Sequence, residues 1–312
     1  MTTPDRAGVP EDVGVVEVYG ATFSTFTRTI KMGLHELGIK YIPVARNPHS
    51  EDIKAKNPYG LLPVLVHRPD GLYTPKDQIV TLYESNAIRR YIDELLAPIS
   101  SSSSSSGGAS QPHSQSHAHA QHSQSHPHSH SHSHHSHNTR VKHLTPPLST
   151  GSTGQTVDSE AVHLRSKTDA LVSSISSTHF PAFEHGFIKP AVQMHNNGAS
   201  DRDILAALGE QVEKLHSLLS ILESLFSSSS SAPGGAESGS SEHKCFLLGE
   251  TITWPDLFLY PILADLQVTP LGQSFTGQTP MFPNLAAWFI TIQSRQSAKD
   301  TYHGTIAHQL SK

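Results

Sequence analysis

Three hydroxyl side chains, Ser24, Thr25 and Thr27, crowd the start of the amphipathic stretch "VYGATFSTFTRTIKMGLHEL" (18–37). One hydroxyl is enough to cap a helix by accepting from its first free N–H groups. A hydroxyl at the positive end of a helix dipole can also donate to an anion and hold it without permanent charge. On the residues alone both roles stand open. Arg28, one turn further on, adds positive potential to the same place. A second helix opens at Glu84-Ser85, with Ser85 as its expected N-cap. Cys245 is the single cysteine, so an internal disulfide is impossible, and it reads as a small buried apolar residue. Twelve of the 23 histidines fall between His113 and His143. Dense imidazole chelates transition metals, but a structural zinc site needs fixed, spaced ligands, and this alternating Ser-His tract has no such framework. It reads as low complexity, and no metal site is assigned.

These groups need elements to position them. "VVEVYG" (15–20) is a short β-branched strand ending in glycine. Phe26, Ile30, Leu34 and Leu37 then recur at helical spacing, with Gly38 as C-cap. "KYIPVAR" (40–46) is a second strand, so the unit is β-α-β with parallel strands and a right-handed crossover. Asn57-Pro58 and Gly60 mark a turn before the strand "PVLVH" (63–67). Pro63 has no N–H for a ladder, which places it at the strand's start or on a bulge. A further strand, Ile79–Tyr83, precedes the helix "ESNAIRRYIDELL" (84–96), whose Ile88, Tyr91, Ile92 and Leu95 face inward. Residues 15–98 thus read as a complete small α/β domain.

The rest of the chain has no strand pattern. Residues 1–14 are expected to be a disordered N-terminus, and 99–155 a disordered Ser/His-rich linker, since neither carries an apolar face to bury. An all-helical domain follows over 156–308. In it, "DILAALGEQVEKLHSLLSILESLF" (203–226) carries Ile204, Leu208, Val212, Leu215, Leu219, Leu222 and Phe226 in steps of four and three, one long core-facing helix. After a Ser/Gly-rich loop at 227–243, Thr253 with Asp256 forms a capping box, and Pro255 sits in the first turn. "FPNLAAWFITIQSR" (282–295) is a last clear helix.

Bulk properties exclude several classes. The formal charge of −5 gives no reason to expect nucleic-acid binding. "MTTPDRAGVPEDVG" lacks the basic and apolar regions of a secretory signal, and no apolar run approaches the ~20 residues that span a bilayer. A soluble cytoplasmic protein without membrane attachment is the expectation, in keeping with the single cysteine.

In order and spacing, "YGATFST" (19–25), "NPYGLLPVL" (57–65), "LYESNAIRRYIDE" (82–94), "PAFEHGFIKP" (181–190) and "FLLGETITWPDLFLYPIL" (246–263) resemble the glutathione transferases. The likeness is greatest to the phi group and to fungal relatives with a serine active site, and it covers 15–98 and roughly 157–303. It implies an α/β thioredoxin-like N-terminal domain, an all-α C-terminal domain and a homodimer. Glutathione is then the co-substrate, with no cofactor.

The resemblance also implies site roles. Glutathione's thiol has a pKa near ~8.5 and reacts as the thiolate. Ser24 is the residue implied to activate it, with Thr25 as fallback donor and Thr25 or Thr27 left to serve the backbone. Glu84 and Ser85 meet the γ-glutamyl end, Glu84 its ammonium and Ser85 its carboxylate. Leu62, before an implied cis Pro63, offers its backbone to the cysteinyl part. Leu61 stands where phi-type sequences commonly carry Gln, so the glycyl carboxylate falls to His49, Lys54 or Lys56. The second substrate would meet His179, Phe180, Phe183, Phe187 and Met194. The implied activity is conjugation of the thiolate to electrophilic, mostly apolar small molecules, a detoxification chemistry. The alternative is a non-catalytic protein of the same fold that binds glutathione or apolar ligands, which Leu61 and the long insertions favour.

Overall fold

A computed structural model describes residues 13–97, 143–145, 159–227, 245–277 and 279–311. The expected disorder of residues 1–12, of nearly all of the His-rich stretch and of 228–243 falls on residues outside these; Val13, placed by expectation in the disordered N-terminus, is instead buried with its carbonyl 2.6 Å from His67 Nε2, and Ser227 ends a helix.

Four strands form the first domain's sheet. β1 (Val15–Gly20) leads into α1 (Thr25–Leu37), then β2 (Ile42–Ala45), and a single helical turn α2 (Glu51–Lys54). β3 (Val64–Arg68) and β4 (Val80–Tyr83) follow, joined by two short 3₁₀ turns. The order is β2-β1-β3-β4, with β1 parallel to β2 and antiparallel to β3, and β3 antiparallel to β4. The proline problem at Pro63 is solved by leaving it outside the strand, which begins at Val64. α3 (Ser85–Tyr91) continues into one π-helical turn, Ile92–Leu96.

That wide turn corrects one expectation. Leu95 is 40% exposed and Leu96 is fully buried, because the longer repeat of the π turn rotates the inward position by one residue. Ile88 and Ile92 are buried as the helical period required.

Helices make up the second domain. α4 (Ser159–Ser174) runs on through π-helical turns at Ile175–His179 and Pro181–Ile188 into α5 (Lys189–Asn196). Pro181 has no N–H to give to the preceding turn, and the widened path accommodates it. The stretch 203–226 divides into α6 (Asp201–Ala207) and α7 (Gly209–Ser227). Leu208 departs from helical geometry next to Gly209, a poor helix former, although Ile204, Leu215, Leu219, Leu222 and Phe226 are buried on one side as the spacing required. α8 (Trp254–Gln267) follows, then α9 (Gly272–Thr276), α10 (Pro283–Gln293), α11 (Gln296–Asp300) and α12 (Ile306–Leu310).

The capping box at the head of α8 is present and extended. Asp256 is fully buried and accepts four hydrogen bonds, from Thr253 N–H (2.8 Å), Thr253 Oγ1 (2.8 Å), Leu247 N–H (2.9 Å) and Trp288 Nε1 (2.8 Å). One carboxylate therefore ties the start of α8 to the preceding turn and to α10.

The domains meet along α1. An added Cβ on Gly33 would sit 2.2 Å from the Trp254 ring, so only glycine lets α1 and α8 approach this closely. Glu36 accepts from Nε and Nη2 on one edge of the Arg295 guanidinium (2.8 and 2.5 Å) and from the Ser297 hydroxyl (2.5 Å). α3 adds its own ties, with Arg89 and Arg90 both paired to Asp169 of α4. Within the stretch expected to be linker, His143–Thr145 is placed against this interface. Leu144 is buried and its carbonyl accepts from Trp254 N–H (3.2 Å), while Thr145 Oγ1 donates to Asp93.

Candidate active site

The register gathers the candidate residues at one end of the sheet. Val64 stands opposite both Tyr19 of β1 and Tyr83 of β4, and Gly20 stands opposite Ala45 of β2. The chain leaves β1, β2 and β4 and enters β3 at this same end. It therefore carries the loops holding Ser24, His49, Leu62-Pro63 and Glu84-Ser85.

Ser24 is the N-cap of α1, in extended conformation, with its Oγ accepting from Thr27 N–H at 3.3 Å and from Thr27 Oγ1 at 2.9 Å. The division of labour expected among the hydroxyls is thus corrected: Ser24 itself caps the backbone, and Thr27 is turned towards Ser24. Thr25 is buried, whereas Ser24 is half-buried and reaches solvent. α1 has 13 residues, enough for its dipole to favour negative charge at this end.

Arg28 is 3% exposed and is engaged by the last helices, donating to Thr301 Oγ1 and Ala298 O (both 3.3 Å) above the Tyr260 ring. Burial raises the Tyr260 pKa, and Arg28 opposes the rise. Arg28 is thereby a cation shared between α1 and the last helices.

The Leu62–Pro63 peptide is cis. The loop before it is fixed by Asn57, 1% exposed, whose Nδ2 donates to Leu61 O (3.0 Å) and whose Oδ1 accepts from Tyr59 N–H (3.1 Å). Glu84, not Ser85, is the N-cap of α3, correcting the capping assignment. Glu84 adopts φ 68°, a conformation costly for a residue with a Cβ, and Ser85 becomes the first helical residue. The sequence register is off by one because the extra turn of backbone is made at a non-glycine residue. Glu84 is exposed and Ser85 almost buried.

Of the three side chains expected near the glycyl end, Lys54 is paired with Glu51 (3.1 Å) and Lys56 with Asp52. Asp52 also holds Arg46 at 2.6 Å, and the bonds from Lys56 and Arg46 pull its pKa down. His49 has no ion pair among the described residues; its backbone, at φ 62°, donates to Gly60 O (2.7 Å) and its ring lies over Gly60. Leu61 is 49% exposed beside it.

Of the residues expected to line a second pocket, Phe183 and Phe187 are fully buried core, and His179 is 4% exposed, its pKa lowered by burial. Phe180 is half-exposed and meets Phe26 of α1, ring centroids 4.5 Å apart. Cys245 is exposed rather than buried. Among the described residues, no group of three or more His, Cys, Asp or Glu is placed to hold a metal ion, and no helix is long and apolar enough to cross a membrane. Thr27 and Asn57 are the positions that sequence reasoning missed. Asn57 announced itself only as a turn before proline, and Thr27 as one hydroxyl among three.

A four-stranded mixed sheet with helices, fused to an all-helical domain, with a helix N-terminus and a cis proline at one sheet end, defines a thioredoxin-like protein with a helical partner domain. The profile described as "Glutathione S-transferase, N-terminal domain" matches residues 23–95, and "Glutathione S-transferase, C-terminal domain" matches 201–290. Together they span a little over half the chain, which belongs to the glutathione transferase family. A search of curated proteins gives no match. Among solved structures, the fold is similar to glutathione transferase F7 from Populus trichocarpa, at 21% identity over 93% of this chain and 99% of that one, TM-score 0.57. A glutathione S-transferase from Rhodospirillum rubrum F11 is 15% identical over 96% and 100% of the two chains, TM-score 0.55. A tau class enzyme from mango, Mangifera indica, is 17% identical over 95% and 96%, TM-score 0.53.

Proposed function

We propose that this chain is a serine-type glutathione transferase in which Ser24 stabilises the thiolate of bound glutathione. The observation that carries the reading is the convergence of Ser24, the cis Leu62–Pro63 step and Glu84-Ser85 at one end of the sheet. Glutathione lies along Leu62, its cysteinyl amide pairing with the Leu62 backbone as an added strand. Its γ-glutamyl carboxylate sits on Ser85 and the first N–H groups of α3, its ammonium faces Glu84, and His49 meets the glycyl carboxylate. The thiol gives its proton to solvent, and the Ser24 O–H donates to the sulfur while keeping its own proton. The sulfur lone pair then forms the S–C bond as the leaving group departs with the bonding pair. Mostly apolar electrophiles suit the Phe26 and Phe180 rings between the domains. Detoxification in the cytoplasm, by a homodimer, is the setting proposed.

The test is conjugation of glutathione to a generic aryl halide by wild type and Ser24→Ala in parallel, with glutathione binding measured separately. Turnover collapsing in the variant with binding retained supports the reading; equal turnover in both refutes the role of Ser24. A second reading has a specific observation behind it. Leu61 is exposed and apolar where a carboxylate partner would serve, and Lys54 and Lys56 are already paired. Glutathione binding without turnover on a panel of electrophiles would make the chain a ligand-binding protein.

A further inference from the structure

We infer that Thr27 is a positioning residue for Ser24: its hydroxyl and its backbone N–H occupy both acceptor positions of the Ser24 oxygen and leave the Ser24 proton for the thiol. The inference rests on Ser24 being the thiolate donor.

A serine hydroxyl has one proton and two lone pairs. At Ser24 the lone pairs receive Thr27 N–H (3.3 Å) and Thr27 Oγ1 (2.9 Å). The direction of the hydroxyl–hydroxyl bond follows from burial. Thr27 is 1% exposed, and its Oγ1 has no other hydrogen bond among the described residues. Were Ser24 to donate to Thr27, the Thr27 proton would be buried without an acceptor, at the full cost of desolvation. Ser24 is half-buried, and its proton meets no such constraint. The low-cost arrangement therefore sends the Thr27 proton to Ser24 and the Ser24 proton outward.

Thr27 is itself held in place. A Cβ on Gly20 would lie 2.2 Å from Thr27 Cγ2 and 2.5 Å from Thr27 Oγ1, so the end of β1 packs directly on this side chain. Ser24 is fixed on its backbone as well, its N–H donating to Ala21 O (3.1 Å) and its carbonyl accepting from Arg28 N–H (3.0 Å). Two donors on one hydroxyl oxygen also polarise its O–H, which makes it a better donor to an anion. Thr27 thus sets both the aim and the strength of Ser24 without touching the substrate.

The experiment compares wild type, Thr27→Val, Thr27→Ser, Ser24→Ala and the double variant Thr27→Val/Ser24→Ala. For each, the thiol pKa of bound glutathione is read from the ultraviolet absorbance of the thiolate and from the pH profile of conjugation. Removing one hydrogen bond weakens thiolate formation roughly three- to tenfold, so Thr27→Val raises the thiol pKa by about half to one pH unit. Thr27→Ser, which keeps the hydroxyl, restores most of that shift. The double variant matches Ser24→Ala, because the effect runs through Ser24. If Thr27→Val does not fold, Thr27→Ala carries the same expectation. A raised pKa in Ser24→Ala with a wild-type pKa in Thr27→Val overturns the role of Thr27 alone, as does a Thr27→Ser variant that behaves like Thr27→Val. An unchanged pKa in Ser24→Ala overturns the reading of Ser24, and the role of Thr27 falls with it.

Discussion

Replacing Asp93 by asparagine is expected to stabilise the protein at alkaline pH. Asp93 lies where the first domain meets α8. One carboxylate oxygen accepts from Trp254 Nε1 (2.8 Å) and from the Thr145 hydroxyl, and the other is buried with no partner. Burial pushes the pKa from 3.8 up to about 6, against the pull of those two bonds and of Arg89 and Arg165. The folded pKa thus lies above the unfolded one, so folding takes up a proton between these values. The penalty for holding the charge is absent below about pH 4 and fully in force above about pH 6, where it amounts to ~3 kcal/mol at 1.36 kcal/mol per pH unit. Asparagine keeps one oxygen for both donors and carries no charge, but it accepts less strongly than a carboxylate and puts its NH2 where the other oxygen has no partner, which together offset about 1–2 kcal/mol of the gain. The net gain is about 1–2 kcal/mol at about pH 8, turning into a loss of about 1–2 kcal/mol at about pH 4. Denaturant midpoints of Asp93→Asn and wild type at both pH values measure it. A variant less stable than wild type at the higher pH, or an equal gain at both, would refute the reasoning.

Asp256→Ala strands four buried donors at once and is expected to cost about 4 kcal/mol or more, seen in the denaturant midpoint; a loss below about 1 kcal/mol would contradict the carboxylate's role as the tie. Gly33→Ala drives a methyl into the Trp254 ring, and its overpacking cost of about 1–3 kcal/mol exceeds the ~1 kcal/mol gained in helix propensity. Net stabilisation of that variant would show that the two helices separate freely. Light scattering at micromolar concentration is expected to find a dimer of the wild type, and a monomer would remove that proposal.

Local signals served where each residue's partner is near in sequence. Gly38 closes α1 in the left-handed region, and Thr253 with Asp256 closes the start of α8, both legible from spacing of a few residues. Asp256 also receives Trp288, a partner no local pattern announces. Leu95 and Leu96 exchange places because a π turn adds a residue to the repeat, and hydrophobic spacing alone assumes the ordinary period. At the candidate site the residue types were readable and the hydrogen-bond directions were not. Ser24 stood out as a hydroxyl at a helix start, yet which of Thr25 and Thr27 faced it depends on burial against Gly20. Lys54 and Lys56 are indistinguishable from His49 in the sequence, and only the structure pairs them with Glu51 and Asp52.

α1 presents Ser24 at its first turn and, near its last, the Glu36 carboxylate that grips Arg295. Between them lies the contact with Trp254. A single rod of about 20 Å thus carries the proposed thiolate donor and the seam between the two halves. The halves are consequently poor modules for exchange. A thioredoxin-like half grafted onto a foreign helical half would inherit the hydroxyl but lose the contacts that hold its helix in place. If Ser24 has the role proposed for it, substitutions on the seam bear on that hydroxyl through the helix that carries both.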